Sequence, residues 1–220
     1  MTDKAVVVLS GGQDSTTCLW WALERFGSNN VEALSFDYGQ RHRIELDCAT
    51  AVAELAGVPQ SVLPIDTFAA LGGNALTDAG IAVGSDGKRE LPVTFVPGRN
   101  LIFVTFAAAW AWPRKVTHIV AGVSQADYSG YPDCRQETID ALSTALKLGM
   151  ELVFEIHTPL MNLTKAETVL LAEELGAMDA MSLTHTCYAG QRPPCGRCHA
   201  CVLRAKGFAE AGIEDPLLRR

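Results

Sequence analysis

A short apolar strand followed by a serine- and glycine-rich turn constrains the fold of this chain most strongly. Residues Ala5 to Leu9 are all apolar, and Ser10-Gly11-Gly12-Gln13-Asp14-Ser15 follows them directly. A continuous, β-branched apolar run of this length is typical of a strand buried on both faces of a parallel sheet. Apolar residues then recur at helical spacing between Asp14 and Arg25. The sequence therefore predicts a strand, a tight loop and a helix in succession.

The rest of the chain continues the alternation of strands and helices. Strands are predicted at 31–36, 61–65, 117–121 and 152–157, and helices at 44–56, 100–112, 135–149 and 164–175. Residues 66–98 are rich in glycine and proline and predict a long loop, which is usually functional or mobile. Since strands that alternate with helices form parallel sheets, we expect an α/β fold with a doubly wound, five-stranded parallel sheet.

The turn after the first strand has the composition of a phosphate site. Gly11 and Gly12 let backbone N–H groups approach an anion, and the N-terminus of the following helix adds donors and a positive dipole. The lysine of a Walker loop is missing, and so is the Gly-x-Gly-x-x-Gly pattern of a dinucleotide fingerprint. Asp14 would repel phosphates unless it caps the helix or holds Mg²⁺. The pattern favours phosphate or pyrophosphate binding over a turn that only caps a helix.

Polar segments also follow other predicted strands. Residues 37–42 follow the second strand and residues 122–135 the fourth, while Arg99 and Lys165 stand near helix starts. Ligands of open α/β sheets bind beyond the carboxyl ends of the strands, so these segments are placed to meet a nucleotide or a second substrate. Each also has a purely structural interpretation, as a solvated loop, an incidental helix start or a surface lysine.

Four of the seven cysteines are crowded near the C-terminus. Cys187, Cys195, Cys198 and Cys201 lie within fifteen positions, whereas the others are dispersed at 18, 48 and 134. Four thiolates complete a tetrahedral, structural zinc shell, and an iron–sulfur cluster is the alternative. His185 and His199 are interpreted as surface groups or groups beside the metal. We expect Cys18 and Cys48 to be core residues and leave Cys134 open.

Charge and hydropathy limit the partners. The net charge is −7, and an acidic surface argues against a large nucleic-acid footprint. The most apolar stretch, 101–112, is too short to span a membrane, and no targeting segment is recognised. Free cysteines beside a metal cluster indicate a reducing compartment. We expect a cytoplasmic protein that acts on small molecules, without nucleic-acid or membrane partners.

The turn at Ser10–Ser15 resembles the signature Ser-Gly-Gly-x-Asp-Ser of the PP-loop ATP pyrophosphatases. These enzymes cleave ATP to AMP and pyrophosphate and use AMP to activate a substrate oxygen. The resemblance implies an adenine nucleotide α-hydrolase-like, Rossmann-like domain. It further implies that the loop binds the pyrophosphate that leaves.

Further segments resemble one PP-loop family in particular, the 7-cyano-7-deazaguanine synthases of queuosine biosynthesis. The resemblance rests on residues 10–19, 36–42, 96–100, 122–135, 158–160 with 165–167, the four cysteines and residues within the ending 207–216. It implies that ATP and ammonia convert 7-carboxy-7-deazaguanine to the nitrile through adenylated carboxylate and amide intermediates. ATP is then a substrate, Mg²⁺ accompanies it, and one structural Zn²⁺ is bound per chain. A homodimer is expected as well.

The resemblance and the loop positions together give a set of expected site residues. The catalytic group is Asp14, Ser15, Arg99 and Lys165, and the metal ligands are Cys187, Cys195, Cys198 and Cys201. The nucleotide-binding group is Leu9, Ser10, Gly11, Gly12, Gln13, Asp14, Ser15, Thr16, Thr17, Cys18, Leu19, Asp37 and Tyr38. The expected substrate group is Gln40, Arg41, Asn100, Gln125, Asp127, Tyr128, Asp133 and Arg135.

The expected organisation is a nucleotide-binding domain over 1–180 with a zinc-binding appendage over 181–220, packed as one globular unit. Three other functions stay open at this point. A tRNA-thiolating PP-loop enzyme would use the cysteines for sulfur or for an iron–sulfur cluster. The chain could also be an adenylating ligase for a different acid, or a nucleotide-binding protein without catalysis.

Overall fold

A computed structural model describes residues 3–40, 43–78, 80–83, 91–126 and 131–218 of the chain. Within these residues five strands form one sheet: β1 (Ala5–Val8), β2 (Val31–Asp37), β3 (Gln60–Pro64), β4 (His118–Val120) and β5 (Glu155–His157). The longer helices are α1 (Gln13–Phe26), α2 (Ile44–Ala56), α4 (Arg99–Ala111), α5 (Gln136–Met150), α6 (Lys165–Glu174) and α8 (His199–Ala211), and the short ones are α3 (Thr67–Leu71) and α7 (Met178–Met181).

The sheet is parallel throughout, in the order β3-β2-β1-β4-β5. Ala5 of β1 stands opposite Val31 of β2 on one side and His118 of β4 on the other. The predicted five-stranded, doubly wound α/β fold is therefore confirmed. The strand order reverses between β1 and β4, and the carboxyl ends of strands at such a switch point are where open α/β sheets bind ligands.

Alternating side chains of β1 bury the two faces of the sheet against different helices. Val6 joins a cluster with α4 and the end of α5, whereas Ala5, Val7 and Leu9 pack against α1 and α2. Burial on both faces explains why β1 has no polar position. Cys18 and Cys48 are buried, as predicted.

The main differences between the predicted and observed elements are as follows. The predicted loop 66–98 contains α3, the strand predicted at 152–157 is limited to Glu155–His157, and neither the short α7 nor α8 was predicted. Helix α8 has cysteines at its start and Gly207 inside it, and its apolar side chains are not gathered into one clear stripe. Its stability comes from tertiary packing, which periodicity does not report.

Helix α8 packs closely against α6. A Cβ at Gly207 would lie 2.8 Å from the Cβ of Lys165, so glycine allows the two helices to approach. Arg204 of α8 is buried, and it donates to both carboxylate oxygens of Asp215 and to the hydroxyls of Thr184 and Thr186. These bonds fix the segment that precedes the four cysteines. No helix in the described part of the chain is long and apolar enough to cross a membrane.

Candidate active site and four-cysteine cluster

A cleft of about 220 Å³ opens at the switch point between β1 and β4. Its walls come from the loop after β1, the ends of β2 and β4, the starts of α2 and α4, and residues 185–188 around the first of the four cysteines. The lining residues are Val8, Leu9, Ser10, Gly12, Gln13, Asp14, Ser15, Phe36, Tyr38, Gln40, Glu45, Leu46, Leu76, Arg99, Asn100, Phe103, Val104, Ala121, Gly122, Val123, His185, Thr186 and Tyr188.

The loop after β1 is held by its own serines. Ser15 Oγ accepts from the backbone N–H of Ser10 at 3.1 Å and donates to the carbonyl of Gly12 at 3.2 Å. Gly11 has φ +80°, and a Cβ there would lie 2.2 Å from the carbonyl oxygen of Glu45. The loop is therefore fixed against α2 before any ligand arrives, and the dipole of α1 points at the cleft.

Asp14 in the first turn of α1 forms an ion pair with Lys165 at the start of α6. The Lys165 ammonium donates to both carboxylate oxygens, at 2.7 and 2.9 Å. The N-cap of α1 is Gly12, without a side-chain cap, so of the two alternatives considered for Asp14 the helix cap is excluded. A reciprocal capping box between Thr164 and Glu167 fixes the start of α6 and therefore the position of Lys165.

Two side chains of opposite charge face the cleft from α2 and α4. The guanidinium of Arg99 lies 5.9 Å from the ring centre of Tyr38 and 3.5 Å from its hydroxyl oxygen. Burial raises the pKa of Glu45 to about 7, and the charge of Arg99 lowers it by less. Burial also raises the pKa of Tyr38 to about 12, so its hydroxyl stays neutral. The cleft thus holds a fixed cation and a carboxyl that titrates near neutral pH.

Asn100 joins the start of α4 to the turn at 132–134. Its backbone N–H donates to Asp133 at 3.0 Å, and its side-chain amide lies 3.2 Å from the Cys134 sulfur. Asp133 and Cys134 are buried. Cys134 therefore packs inside the wall of the cleft and does not line it.

Several predicted site residues lie away from the cleft surface. Gln125 accepts from the backbone of Gln136 and donates to Asn162, and Arg135 is exposed at the N-cap of α5. Asp37 pairs with Arg43. Residues 16–19 are buried inside α1. The predicted residues Arg41, Asp127 and Tyr128 lie outside the described part of the chain.

Gln40 lines the cleft, but its amide is already bonded to the backbone. Its Oε1 accepts from Tyr38 N at 2.8 Å, and its Nε2 donates to Phe36 O at 3.3 Å. Gln40 therefore shapes the loop after β2 and keeps Tyr38 in position. Gln40 thus affects the cleft indirectly, by fixing the backbone of the loop after β2.

The sequence did not identify Glu45, Phe103, His185, Thr186 and Tyr188 as cleft residues. Glu45 and Phe103 occupy ordinary helical positions, and their exposure to the cleft depends on packing. His185 is buried, so the surface interpretation is wrong for it. Its backbone N–H donates to Gly11 O at 2.9 Å, and its Nε2 is 2.9 Å from Cys187 O. His199 is exposed, as predicted.

The four C-terminal cysteines converge behind Tyr188. Their sulfurs all lie within 4.8 Å of one another, and the Cys195 and Cys201 sulfurs are 3.9 Å apart. A tetrahedral site with Zn–S bonds of about 2.3 Å has sulfurs about 3.8 Å apart. Backbone N–H groups of Cys195 and Cys198 point at neighbouring sulfurs. The geometry therefore fits a four-thiolate metal site.

The family described as queuosine biosynthesis protein QueC matches residues 4–212. The 7-cyano-7-deazaguanine synthase of Chromobacterium violaceum is 66% identical over 221 residues, covering 99% of this chain and 94% of that protein. The corresponding synthase of Laribacter hongkongensis is 64% identical over 220 residues, covering 99% and 95%.

The solved structures that resemble the chain include one of low sequence identity. It is described as a predicted subunit of tRNA methyltransferase from Methanocaldococcus jannaschii, with a TM-score of 0.49 and 15% identity over 78% of this chain and 74% of that one. That likeness is too distant to bear on function.

Proposed function

The chain belongs to the QueC family of queuosine biosynthesis proteins, and we propose that its cleft converts 7-carboxy-7-deazaguanine and ammonia to 7-cyano-7-deazaguanine with ATP. The family predicted from the sequence motifs is confirmed. The observation that carries the proposal is the family match together with a cleft at the switch point, lined by Ser10 and residues 12–15 on one side and by Tyr38 and Tyr188 on the other.

The reaction needs two activations of the same carbon. Ammonia and a free carboxylate form only a salt, so a carboxylate oxygen first attacks the α-phosphorus of ATP and pyrophosphate leaves. Ammonia then displaces AMP and gives the amide. The amide oxygen attacks a second ATP, and loss of AMP with two protons leaves the nitrile. One cleft serves both halves because each is attack of a substrate oxygen on the α-phosphorus.

We assign the phosphates of ATP to the loop after β1. Backbone donors of the loop and the N-terminus of α1 face the cleft, and they would hold the pyrophosphate as it leaves. Lys165 offsets the charge of Asp14, which would otherwise repel the phosphates. Arg99 lies across the cleft and would bind developing negative charge.

Mg²⁺ is proposed to enter with ATP. Within the described residues, only the four cysteines and a cluster of His118, Glu155 and His157 bring three or more metal-ligating side chains together, so the loop offers Mg²⁺ at most single carboxylates such as Asp14. A site with only one carboxylate suits an ion that is held mainly by the phosphates of ATP, which is usual for Mg²⁺. When bound, Mg²⁺ would neutralise phosphate charge.

The deazapurine is assigned to the aromatic side of the cleft. Tyr38, Phe103 and Tyr188 provide apolar surface there, and Asn100 provides an amide at the lining. Flat heterocycles bind in such apolar pockets with a few polar groups at the edge. We keep Asp133 and Asn100 in the substrate group as a pair, with Asp133 fixing the backbone of Asn100.

We propose that the Glu45 carboxylate accepts a proton from ammonium. Ammonium must lose a proton before its nitrogen can attack a carbonyl carbon. A carboxyl with a pKa of about 7 is partly ionised at neutral pH and can accept a proton in the cleft. Glu45 is thus the described cleft residue best matched to this step.

We propose that the four-cysteine cluster binds one structural Zn²⁺ and takes no part in catalysis. Four thiolates leave no open position on the metal. Cys198→Ser should lose zinc and lower the melting temperature, measured by metal analysis and thermal unfolding, with exposed His199→Ala as the control. Retained zinc and an unchanged melting temperature would refute the assignment, and a brown protein with visible absorption would indicate an iron–sulfur cluster instead.

The chain is further proposed to act as a cytoplasmic homodimer without a nucleic-acid partner. All seven cysteines lie among the described residues and none forms a disulfide, which suits a reducing compartment. Trp112 and Leu148 are exposed apolar side chains that line one shallow surface depression near the ends of α4 and α5, and such a patch favours self-association. Leu148→Glu should give monomers in analytical ultracentrifugation if this face joins the copies.

The experiment for the function measures pyrophosphate release and product mass together. The wild-type protein should release pyrophosphate from ATP only with both 7-carboxy-7-deazaguanine and ammonium, and the nitrile should accumulate. Asp14→Asn should lose this activity and keep its fold by circular dichroism. Two results would contradict the proposal. One is pyrophosphate release that does not require 7-carboxy-7-deazaguanine, and the other is pyrophosphate release without formation of the nitrile.

A further inference from the structure

Two histidines and a glutamate form a compact cluster on the sheet, far from the cleft. His118 begins β4, and Glu155 and His157 lie at the two ends of β5. The parallel register of the two strands pairs His118 with Glu155, and His157 lies two residues further along the same face. The cluster faces the C-terminal end of α1, whereas the phosphate loop is at the N-terminal end. The cluster packs on Trp21 and Phe26, which lie 8 and 13 residues after Gln13, so the helix separates it from the phosphate loop by roughly 12–20 Å.

The three side chains point their ligand atoms at one another. His118 Nδ1 is 3.0 Å from His157 Nε2, and Glu155 carboxylate oxygens lie 3.4 Å and 3.6 Å from these two nitrogens. A tetrahedral metal with bonds of about 2.0–2.1 Å separates its ligands by about 3.3 Å. The two imidazole nitrogens need to separate by only about 0.3 Å to reach that value. The two Glu155 contacts involve different carboxylate oxygens, so the carboxylate must also rotate to bring one oxygen to the metal.

Aromatic packing fixes the two imidazoles. The Trp21 ring centre is 5.3 Å from that of His157, and the Phe26 ring centre is 5.0 Å from that of His118. The imidazoles stack on each other with an interplanar angle of 28°. Arg25 is positively charged and lies near the three side chains, but its guanidinium is placed over the rings of Trp21 and Phe26. Ligands that are held in place lose little entropy when a metal binds.

We propose that His118, Glu155 and His157 bind a divalent late transition metal at a site separate from the four cysteines. Two imidazoles and one carboxylate suit Zn²⁺, Co²⁺ or Ni²⁺. The histidine side chains are 13% and 10% exposed and that of Glu155 is 58% exposed, so water can complete the coordination from the open side. The site does not depend on the proposed reaction, and either assignment can fail without the other.

The test titrates CoCl₂ into the purified protein with the proposed zinc bound at the four cysteines. Cobalt bound by imidazole and carboxylate absorbs weakly in the visible range, whereas cobalt that displaces zinc from cysteines gives intense thiolate charge-transfer bands. We expect one equivalent of cobalt to bind in addition to the zinc and to show only the weak visible absorption. His157→Asn should weaken its binding roughly tenfold or more, as expected when a ligand is removed.

A second variant keeps the test valid if His157→Asn does not fold. Glu155→Gln changes a mostly exposed side chain and should also weaken cobalt binding, while Glu174→Gln, an exposed glutamate at the end of α6, should not. The proposal is overturned if cobalt gives only thiolate bands, or if Glu155→Gln binds the second equivalent as tightly as the wild type.

Discussion

Gly122→Ala tests the contact between the two loops that form the cleft. Gly122 follows β4, and a Cβ placed on it would lie 3.0 Å from the backbone nitrogen of Ser15 and 3.1 Å from the carbonyl carbon of Asp14. The contacted atoms are backbone atoms of the first turn of α1, which cannot turn away as a flexible side chain would. The added methyl must therefore push the phosphate loop and β4 apart.

The displacement sets the expected magnitude. Ordinary contacts between carbon and other heavy atoms begin near 3.4–3.5 Å, so the first turn of α1 must shift by about 0.4 Å. A misplacement of about 1 Å costs roughly 10²-fold in rate, and a proportionate logarithmic loss for 0.4 Å is roughly five- to tenfold. Overpacking of this kind costs about 1–3 kcal/mol of stability.

The assay is the kcat/KM for pyrophosphate release, with the free energy of unfolding measured in parallel. Gly149→Ala is the matched control because a Cβ there meets nothing within 4 Å. It lies inside α5 and should stabilise the protein by about 0.5–1 kcal/mol without changing the rate. Equal activity of Gly122→Ala and Gly149→Ala would refute the claim that this contact positions the phosphate loop.

Three further predictions concern charged groups. Lys165→Met should lower kcat by about 10²-fold or more, because Asp14 then faces the phosphates uncompensated; an unchanged pyrophosphate release rate would exclude this role. At constant free ammonia, the wild-type rate should fall as pH drops below about 7, where Glu45 becomes protonated, and Glu45→Gln should be slow with a flat profile; a wild-type profile in the variant would contradict the role of Glu45. Arg204→Met leaves buried Asp215 unpaired and should cost about 3–5 kcal/mol, or about 6–20 °C in melting temperature; thermal unfolding within about 2 °C of the wild type would count against it.

The fold could be predicted from the sequence because local patterns specify it. The apolar run at Ala5–Leu9 and the helical spacing at 44–56 each identify an element, and their alternation identifies the parallel sheet. Helix α8 could not be predicted in this way. It depends on close packing at Gly207 and on the buried pair of Arg204 with Asp215, and both involve partners distant in sequence.

The candidate site was predictable only in part, for the same reason. Short-range motifs identified the loop Ser10–Ser15 and the four cysteines. The pairing of Asp14 with Lys165 spans 151 positions, and the exposure of Glu45 to the cleft depends on how α2 packs. Gln125 illustrates the opposite error, because a polar residue in a loop after a strand was expected at the substrate, and its amide instead joins Asn162 to the start of α5.

Isotope tracing tests the central claim most directly. If the cleft activates substrate oxygens on the α-phosphorus of ATP, 7-carboxy-7-deazaguanine with two ¹⁸O atoms in its carboxylate should transfer one to each of two AMP molecules for every nitrile formed. The pyrophosphate should stay unlabelled in the same mass spectrum. Unlabelled AMP, or ¹⁸O in pyrophosphate or inorganic phosphate, would contradict the account.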